Sequence, residues 1–329
     1  MNAGPAAMEY RPLASRAGET VVLETDCCGD VDDAAALSLL CHEARRRPAA
    51  FRIGAVSCCV RSPFAAAALK TLLAASGMED VPVGVTADAP PPGGSGCESR
   101  FLRGLAARWR GGTDSAVAAD LWHRVLASAA DGSVTVVSIG FFNTLDAVLA
   151  ADPALFRRKV RAVVAMAGGF GRKAGYADFN VREWPDASRR FLDAWRGPAV
   201  FVGSESGENV ATDLSGLPPA CDAHPLVEAF RHFVGPAMSC ASWDPVTVDF
   251  AVNGAGACYA LGDPGFVRLA GDLSTPFSPD PAGNARVLRL AAPERDVSRR
   301  VTALVRASAG LPPLGRDPHP PADPWAATP

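Results

Sequence analysis

Four aspartates, Asp26, Asp30, Asp32 and Asp33, crowd the stretch "TVVLETDCCGDVDDAAALSLL" at residues 20–40. Carboxylates this close repel one another, so such a group is either solvated or gathered around a cation. Calcium and magnesium take oxygen ligands from carboxylates, backbone carbonyls and water, and this stretch can supply all three. One aspartate could be a helix cap, since an acidic residue in the first turn offsets the helix dipole. That accounts for one of the four, and the remainder point to a site at the end of a strand.

The elements that must hold these residues alternate along the chain. Apolar, β-branched runs at 20–25, 51–60, 81–86, 133–140, 160–168 and 198–203 are separated by helical patterns at 33–46, 63–76, 115–130, 143–150 and 185–195. Further helices are expected at 225–233, 243–253 and 297–307. The strands are continuously apolar rather than alternating, as expected of strands buried on both faces. The pattern predicts a single α/β domain with a mainly parallel open sheet and helices on both faces, a Rossmann-like arrangement. Ligands of such sheets bind outside the carboxyl ends of the strands, which is where the aspartates fall. Residues 1–18 read as an unstructured lead, 19–310 as the domain, and the proline-dense 311–329 as an unstructured tail.

Composition narrows the function. The 329 residues are 48% hydrophobic and 20% charged, with a formal net charge of -3 and no block of lysine or arginine. A basic face for a nucleic acid polymer is therefore not expected. No apolar run reaches the roughly 20 residues that span a bilayer, so no membrane association is expected. The N-terminus lacks the apolar core of a secretory signal, which together with cysteine usage gives a cytoplasmic expectation. The nine cysteines include no C-x-x-C pair, and buried reduced thiols are expected rather than a zinc site or disulfides.

Four segments in order resemble a known family. "ETDCCGDVDDAAAL" resembles the N-terminal signature of the nucleoside hydrolases, D-T-D-P-G-x-D-D-A or its longer-loop variant. "VSIGFFNTLDAVL" (137–149) is similar to the strand ending in G-x-x-T-N-L, and "VVAMAGGF…YADFNVREWPDAS" (163–188) to the M-G-G … E-F-N … D-P-E-A segment. "SWDPVTVDFAV" (242–252) is similar to the helix that opens with a His-Asp or Trp-Asp pair. The resemblance implies the nucleoside hydrolase fold and calcium-dependent hydrolysis of the N-glycosidic bond of ribonucleosides, as in purine salvage and nucleoside catabolism. By position, Asp26, Asp33, Asp244 and the carbonyl of Ile139 would hold calcium, and Asp26 would also be the general base. Asp32, Asp178 and Asn180 match residues that hydrogen-bond the ribose. Trp243 stands where inosine-uridine-type members carry histidine and looks like the purine-preferring branch, in which the base stacks on an aromatic ring. The implied partner is a small nucleoside, and the implied assembly a homodimer or homotetramer.

This chain also departs from the pattern. Asp178 replaces the family's glutamate, Cys27 and Cys28 replace proline and glycine in a loop two residues longer, and Asn143-Thr144 reverses the usual order. The H-G-x-x-G segment is absent, with "PPPGGSGCESRFLRGL" in its place. Two alternatives follow from these changes: a catalytically silent relative that binds a ribosyl group, or a hydrolase of a different N-riboside. Asp30 is unassigned and is expected to cap the helix or face water, while Phe141, Tyr176 and Trp184 are further stacking candidates, each expected in the core rather than at the site. Two rival motifs are weaker. Gly169-x-Gly171-x-x-Ala174, with Asp193 beyond, approximates a dinucleotide fingerprint but needs a helix to open at once. Asp30-Val31-Asp32 is a D-x-D pair that does not directly follow its strand.

Overall fold

In β1 (Glu19–Thr25), Val21 and Leu23 enter one apolar layer and Val22 the opposite one, none of them exposed. Each such burial is worth about 1.5–3 kcal/mol, so a strand apolar on both faces is held only when helices cover both. The structure, a computed structural model, describes residues 10–27, 29–88 and 99–314. The expectations for residues 1–9, Cys28, 89–98 and the tail from 315 lie outside these.

Six further strands run parallel to β1: β2 (Phe51–Cys58), β3 (Val83–Val85), β4 (Ala116–Val117), β5 (Val134–Ile139), β6 (Val160–Met166) and β7 (Ala199–Val202). Their order across the sheet is β7-β6-β5-β1-β2-β3-β4. The chain thus builds one half outward from β1, then returns to its other side to build the second half, leaving a topological switch between β1 and β5. A separate antiparallel pair joins β8 (Ala211–Asp213) to β9 (Ser239–Ala241). Beyond β7 lie the short antiparallel β10 (Tyr259–Leu261), β11 (Gly265–Val267) and β12 (Phe277–Pro279), attached to the parallel β13 (Ala285–Leu290).

On one face lie α1 (Asp32–Arg46), α2 (Ala65–Ala75) and α3 (Arg100–Arg108). The other carries α4 (Ala118–Ser128), α5 (Asn143–Ala151), α6 (Pro153–Lys159) and, beyond the short α7 (Phe179–Arg182), α8 (Pro185–Ala194). Back on the first face, α9 (Pro225–Val234), α10 (Trp243–Asn253) and α11 (Glu294–Ser308) complete the layer. The helix expected at 115–130 opens as the two-residue β4 before α4 begins. The three-residue strands β8 to β12 were not foreseen, because an element that short shows no periodicity.

The packed chain starts inside the segment expected to be an unstructured lead. Leu13 is fully buried, and Tyr10 stacks on Phe250 and donates to the Ala251 carbonyl at 2.8 Å. Among the described residues, no helix is long and apolar enough to cross a membrane.

Candidate functional site

Asp26 follows the last residue of β1 and Gly140 the last of β5, strands that pair Thr25 with Ile139 at the switch point. A Cβ on Gly140 would lie 2.6 Å from the Asp26 nitrogen and 2.7 Å from the Thr25 carbonyl carbon, so only glycine permits this approach. The Ile139 carbonyl faces the Asn180 amide nitrogen at 3.5 Å, and that nitrogen also donates to the Met166 carbonyl at 3.1 Å. Loops leaving three neighbouring parallel strands therefore converge here.

The β1 loop turns through Cys27, whose φ of 32° lies in the left-handed region. Its N–H donates to Asp33 Oδ1 at 3.2 Å, and the Thr25 hydroxyl donates to the same oxygen, locking Asp33 toward the strand end. Asp32, the first residue of α1, accepts the Asp244 N–H at 3.0 Å, which ties the start of α1 to the start of α10. Asp30, half-buried, does not cap the helix as one expectation had it. The residue before α1 is Val31, and no side chain caps the helix. Asp30 instead joins Asp32, Asp33 and Asp244, one carboxylate oxygen from each lying within 4.8 Å of the others, a group to which Asp26 does not belong.

Burial and mutual repulsion dominate the electrostatics. Asp26, Asp32 and Asp244 are held well above the ordinary carboxylate range, first by burial and then by neighbouring aspartates. Asp33 is pushed up to about 7 by burial and Asp30, against the opposing hydrogen bond from Thr25. Desolvation and like charges raise a carboxyl in this way only while no cation offsets them. The residues fit a hard divalent ion: the donors are all carboxylate oxygens and, among the described residues, no thiolate or imidazole belongs to the group, the donor set of calcium or magnesium rather than zinc.

Asp178 precedes α7 and accepts the Asn180 N–H at 3.1 Å, while the Ser204 hydroxyl donates to its other oxygen at 2.5 Å. Its pKa is raised by burial despite these bonds. Trp243 donates its indole N–H to the Ser204 carbonyl at 2.8 Å. Gly207 packs against it so closely that a Cβ would lie 2.3 Å from the Trp243 Cα.

All eight residues singled out from the sequence, Asp26, Asp32, Asp33, Ile139, Asp178, Asn180, Trp243 and Asp244, line one cleft of about 290 Å³. A larger cavity of about 750 Å³ opens beyond the 169–175 segment and the 205–206 turn, but none of these eight borders it. Sequence reasoning missed Ser204 and, at the mouth of the cleft, Lys173 and Glu208, which stand there with the stacking candidate Tyr176. The signal for Ser204 was its place just after β7, at the carboxyl end of a parallel strand. Tyr176, expected in the core, is 39% exposed, whereas Phe141 is buried against Phe179. Asn143, from the reversed Asn-Thr pair, bonds the Cys59 carbonyl at 3.0 Å and Asp88 at 2.8 Å and does not line the cleft. The dinucleotide rival loses its helix, since a 3-10 turn spans Gly171–Lys173.

A family model described as inosine-uridine preferring nucleoside hydrolase matches residues 21–261. No curated protein sequence gives a significant match. A plant nucleoside hydrolase structure is 21% identical with a TM-score of 0.65, covering 88% of this chain and 98% of its own. The type III effector protein XopQ, complexed with adenosine diphosphate ribose, is 16% identical with a TM-score of 0.68, covering 91% and 95%. A purine-preferring ribonucleoside hydrolase from Gardnerella vaginalis is 14% identical with a TM-score of 0.61, covering 88% and 99%.

Proposed function

The chain belongs to the inosine-uridine preferring nucleoside hydrolase family, and from that premise we propose that it hydrolyses the N-glycosidic bond of ribonucleosides with calcium in the aspartate site, preferring purine nucleosides. The observation that carries this reading is the meeting of Asp26, Asp33, Asp244 and the Ile139 carbonyl in one buried cleft at the switch point of the sheet.

Asp26, Asp33, Asp244 and the Ile139 carbonyl would hold the calcium, with Asp30 close to Asp33 and Asp244. When bound, the ion would grip the sugar hydroxyls and lower the pKa of a water. Asp26, at the end of β1, takes the proton from the attacking water as general base. Asp32, Asp178 and Asn180 hydrogen-bond the ribose and fix the anomeric carbon over that water. The carboxylates around the ring favour the positive charge that develops on the sugar as the bond to the base breaks. Trp243, held by Ser204, offers its face to the base and stabilises a purine as it gains a proton.

One observation favours a second reading, a ribosyl-binding relative without turnover. The Asp178 carboxylate is already engaged by Asn180 and Ser204, which leaves less of it for a sugar hydroxyl. The XopQ structure complexed with adenosine diphosphate ribose is a precedent for a ribosyl ligand on this fold.

Release of free base from inosine, guanosine, adenosine, uridine and cytidine, before and after chelation and calcium restoration, separates the two. Metal-dependent release fastest with purines is expected. Release fastest with uridine would overturn the purine preference, and no release with calcium bound would select the binding-only reading.

A further inference from the structure

The stretch "GSESG" at 203–207 has the spacing of a nucleophile elbow, but glutamate stands where that motif needs its serine. Its place in the fold gives the stretch a different role. It leaves β7 as a 3-10 turn over Ser204–Ser206, at the carboxyl end of a parallel strand, and meets the aspartate cleft through Ser204.

Ser204 is buried, and its polar atoms all have partners. Its N–H donates to the Gly168 carbonyl at 2.9 Å. Its hydroxyl lies 2.5 Å from Asp178 Oδ2 and 3.1 Å from that same carbonyl. A hydroxyl has one proton and the carbonyl is already served by the N–H, so the proton goes to the nearer carboxylate. Asp178 is thereby gripped at both oxygens, since Oδ1 accepts the Asn180 N–H at 3.1 Å. Each carboxylate oxygen keeps a second lone pair, and the grip fixes the direction in which it can accept.

The same residue holds an aromatic ring. The Ser204 carbonyl accepts the Trp243 indole N–H at 2.8 Å. Gly207 closes on Trp243 from further along the turn: its carbonyl accepts the Ser242 N–H at 3.2 Å, and a Cβ on it would lie 2.7 Å from Trp243 Cδ1. Asp178 comes from the loop after β6 and Trp243 from the start of α10. One turn sets both.

We propose that Ser204 is a positioning residue that fixes the ribose-binding Asp178 relative to the base-stacking Trp243, its hydroxyl holding the first and its carbonyl the second. The proposal rests on the hydrolase reading above, in which Asp178 meets the sugar and Trp243 the base. Neither reacting atom touches Ser204; it acts through the two side chains it orients.

Ser204→Ala removes the hydroxyl and keeps the carbonyl, so it separates the two roles. In the calcium-loaded protein it is expected to lower kcat for inosine about tenfold and to change KM less, because the ribose still binds while its anomeric carbon drifts from the attacking water. In an Asp178→Ala background the same substitution should cost less than about twofold, since the hydroxyl then has no carboxylate to orient. The ratio of inosine to uridine turnover should match wild type, because the indole keeps its acceptor. Calcium affinity by terbium displacement should also match wild type. Wild-type kinetics in Ser204→Ala, or a loss that persists in full without Asp178, overturns the proposal and leaves the hydrolase reading standing. A changed base ratio overturns the role given to the carbonyl, and a fall in calcium affinity places the loss in the metal site and overturns the positioning role. If the wild type releases no base, the hydrolase reading falls and the same cycle is read by calorimetric binding of inosine. Binding weakened about tenfold by Ser204→Ala only while Asp178 is present then sustains the positioning role, and any other pattern overturns it.

Discussion

Asp26 sits beside the attacking water in the proposed reaction, and replacing one of its oxygens with nitrogen removes both a base and a ligand charge while keeping the shape. Asp26→Asn is expected to lower kcat by at least about 100-fold. Its circular dichroism should match wild type, because the amide keeps the shape of the carboxylate it replaces. Near-wild-type turnover would show that Asp26 is not the base. Asp30 gives a second prediction, drawn from its place in the aspartate group. Asp30→Asn should weaken calcium binding about tenfold in a terbium-displacement titration, since it removes one charged oxygen donor. The exposed Asp186→Asn serves as the control and should bind as wild type does. Equal affinities for the two variants would remove Asp30 from the ligand set.

At the scale of elements, the site depends on two loops meeting where β1 and β5 end. Gly140 makes that meeting possible, since a Cβ there collides with backbone atoms of Thr25 and Asp26 as well as with the Cys59 sulfur. Gly140→Ala should therefore cost about 1–3 kcal/mol of stability in urea unfolding, as overpacking does in other tight cores. It should also displace the Ile139 carbonyl and weaken metal binding. An unchanged unfolding midpoint would mean the two strand ends separate freely. The helix pair α1 and α10 does the corresponding work from above the sheet, because the Asp32–Asp244 hydrogen bond joins residues 212 positions apart in sequence.

The whole molecule should register the cation as stability. An ion bound by the folded chain alone stabilises it by about 2.7 kcal/mol at a free concentration 100 times its dissociation constant. Chelation is thus expected to lower the melting midpoint by several degrees, with calcium restoring it and sodium not doing so. A midpoint indifferent to chelation and calcium would speak against a structural ion in the aspartate group. The thiols report on the fold in another way. Burial pushes Cys41 from an ordinary 9.0 up to about 12, and Cys27, Cys58 and Cys59 are raised as well. The thiol form is the poor nucleophile, so iodoacetamide at pH 9 should label these four only as the protein unfolds. Rapid labelling of Cys41 in the native protein would contradict its burial.

Much of this was legible along the chain. Continuous apolar strands separated by helical patterns determined a parallel α/β sheet, because a strand buried on both faces has no other way to be covered. The aspartates after β1 marked the site, since their repulsion demands a cation or solvent. The sequence determined nothing about the three-residue strands β8 to β12, which carry too few residues for a period to show. Nor could it assign Asp30, whose spacing fits a cap as well as a ligand; the turn through Cys27 and Val31 sends its carboxylate to the aspartate group and leaves the helix without a side-chain cap. Only the tertiary structure placed Ser204 against Asp178 and Trp243, and Lys173, Tyr176 and Glu208 at the mouth. Those contacts join loops from different strands, and local pattern carries no record of a neighbour brought in by the sheet.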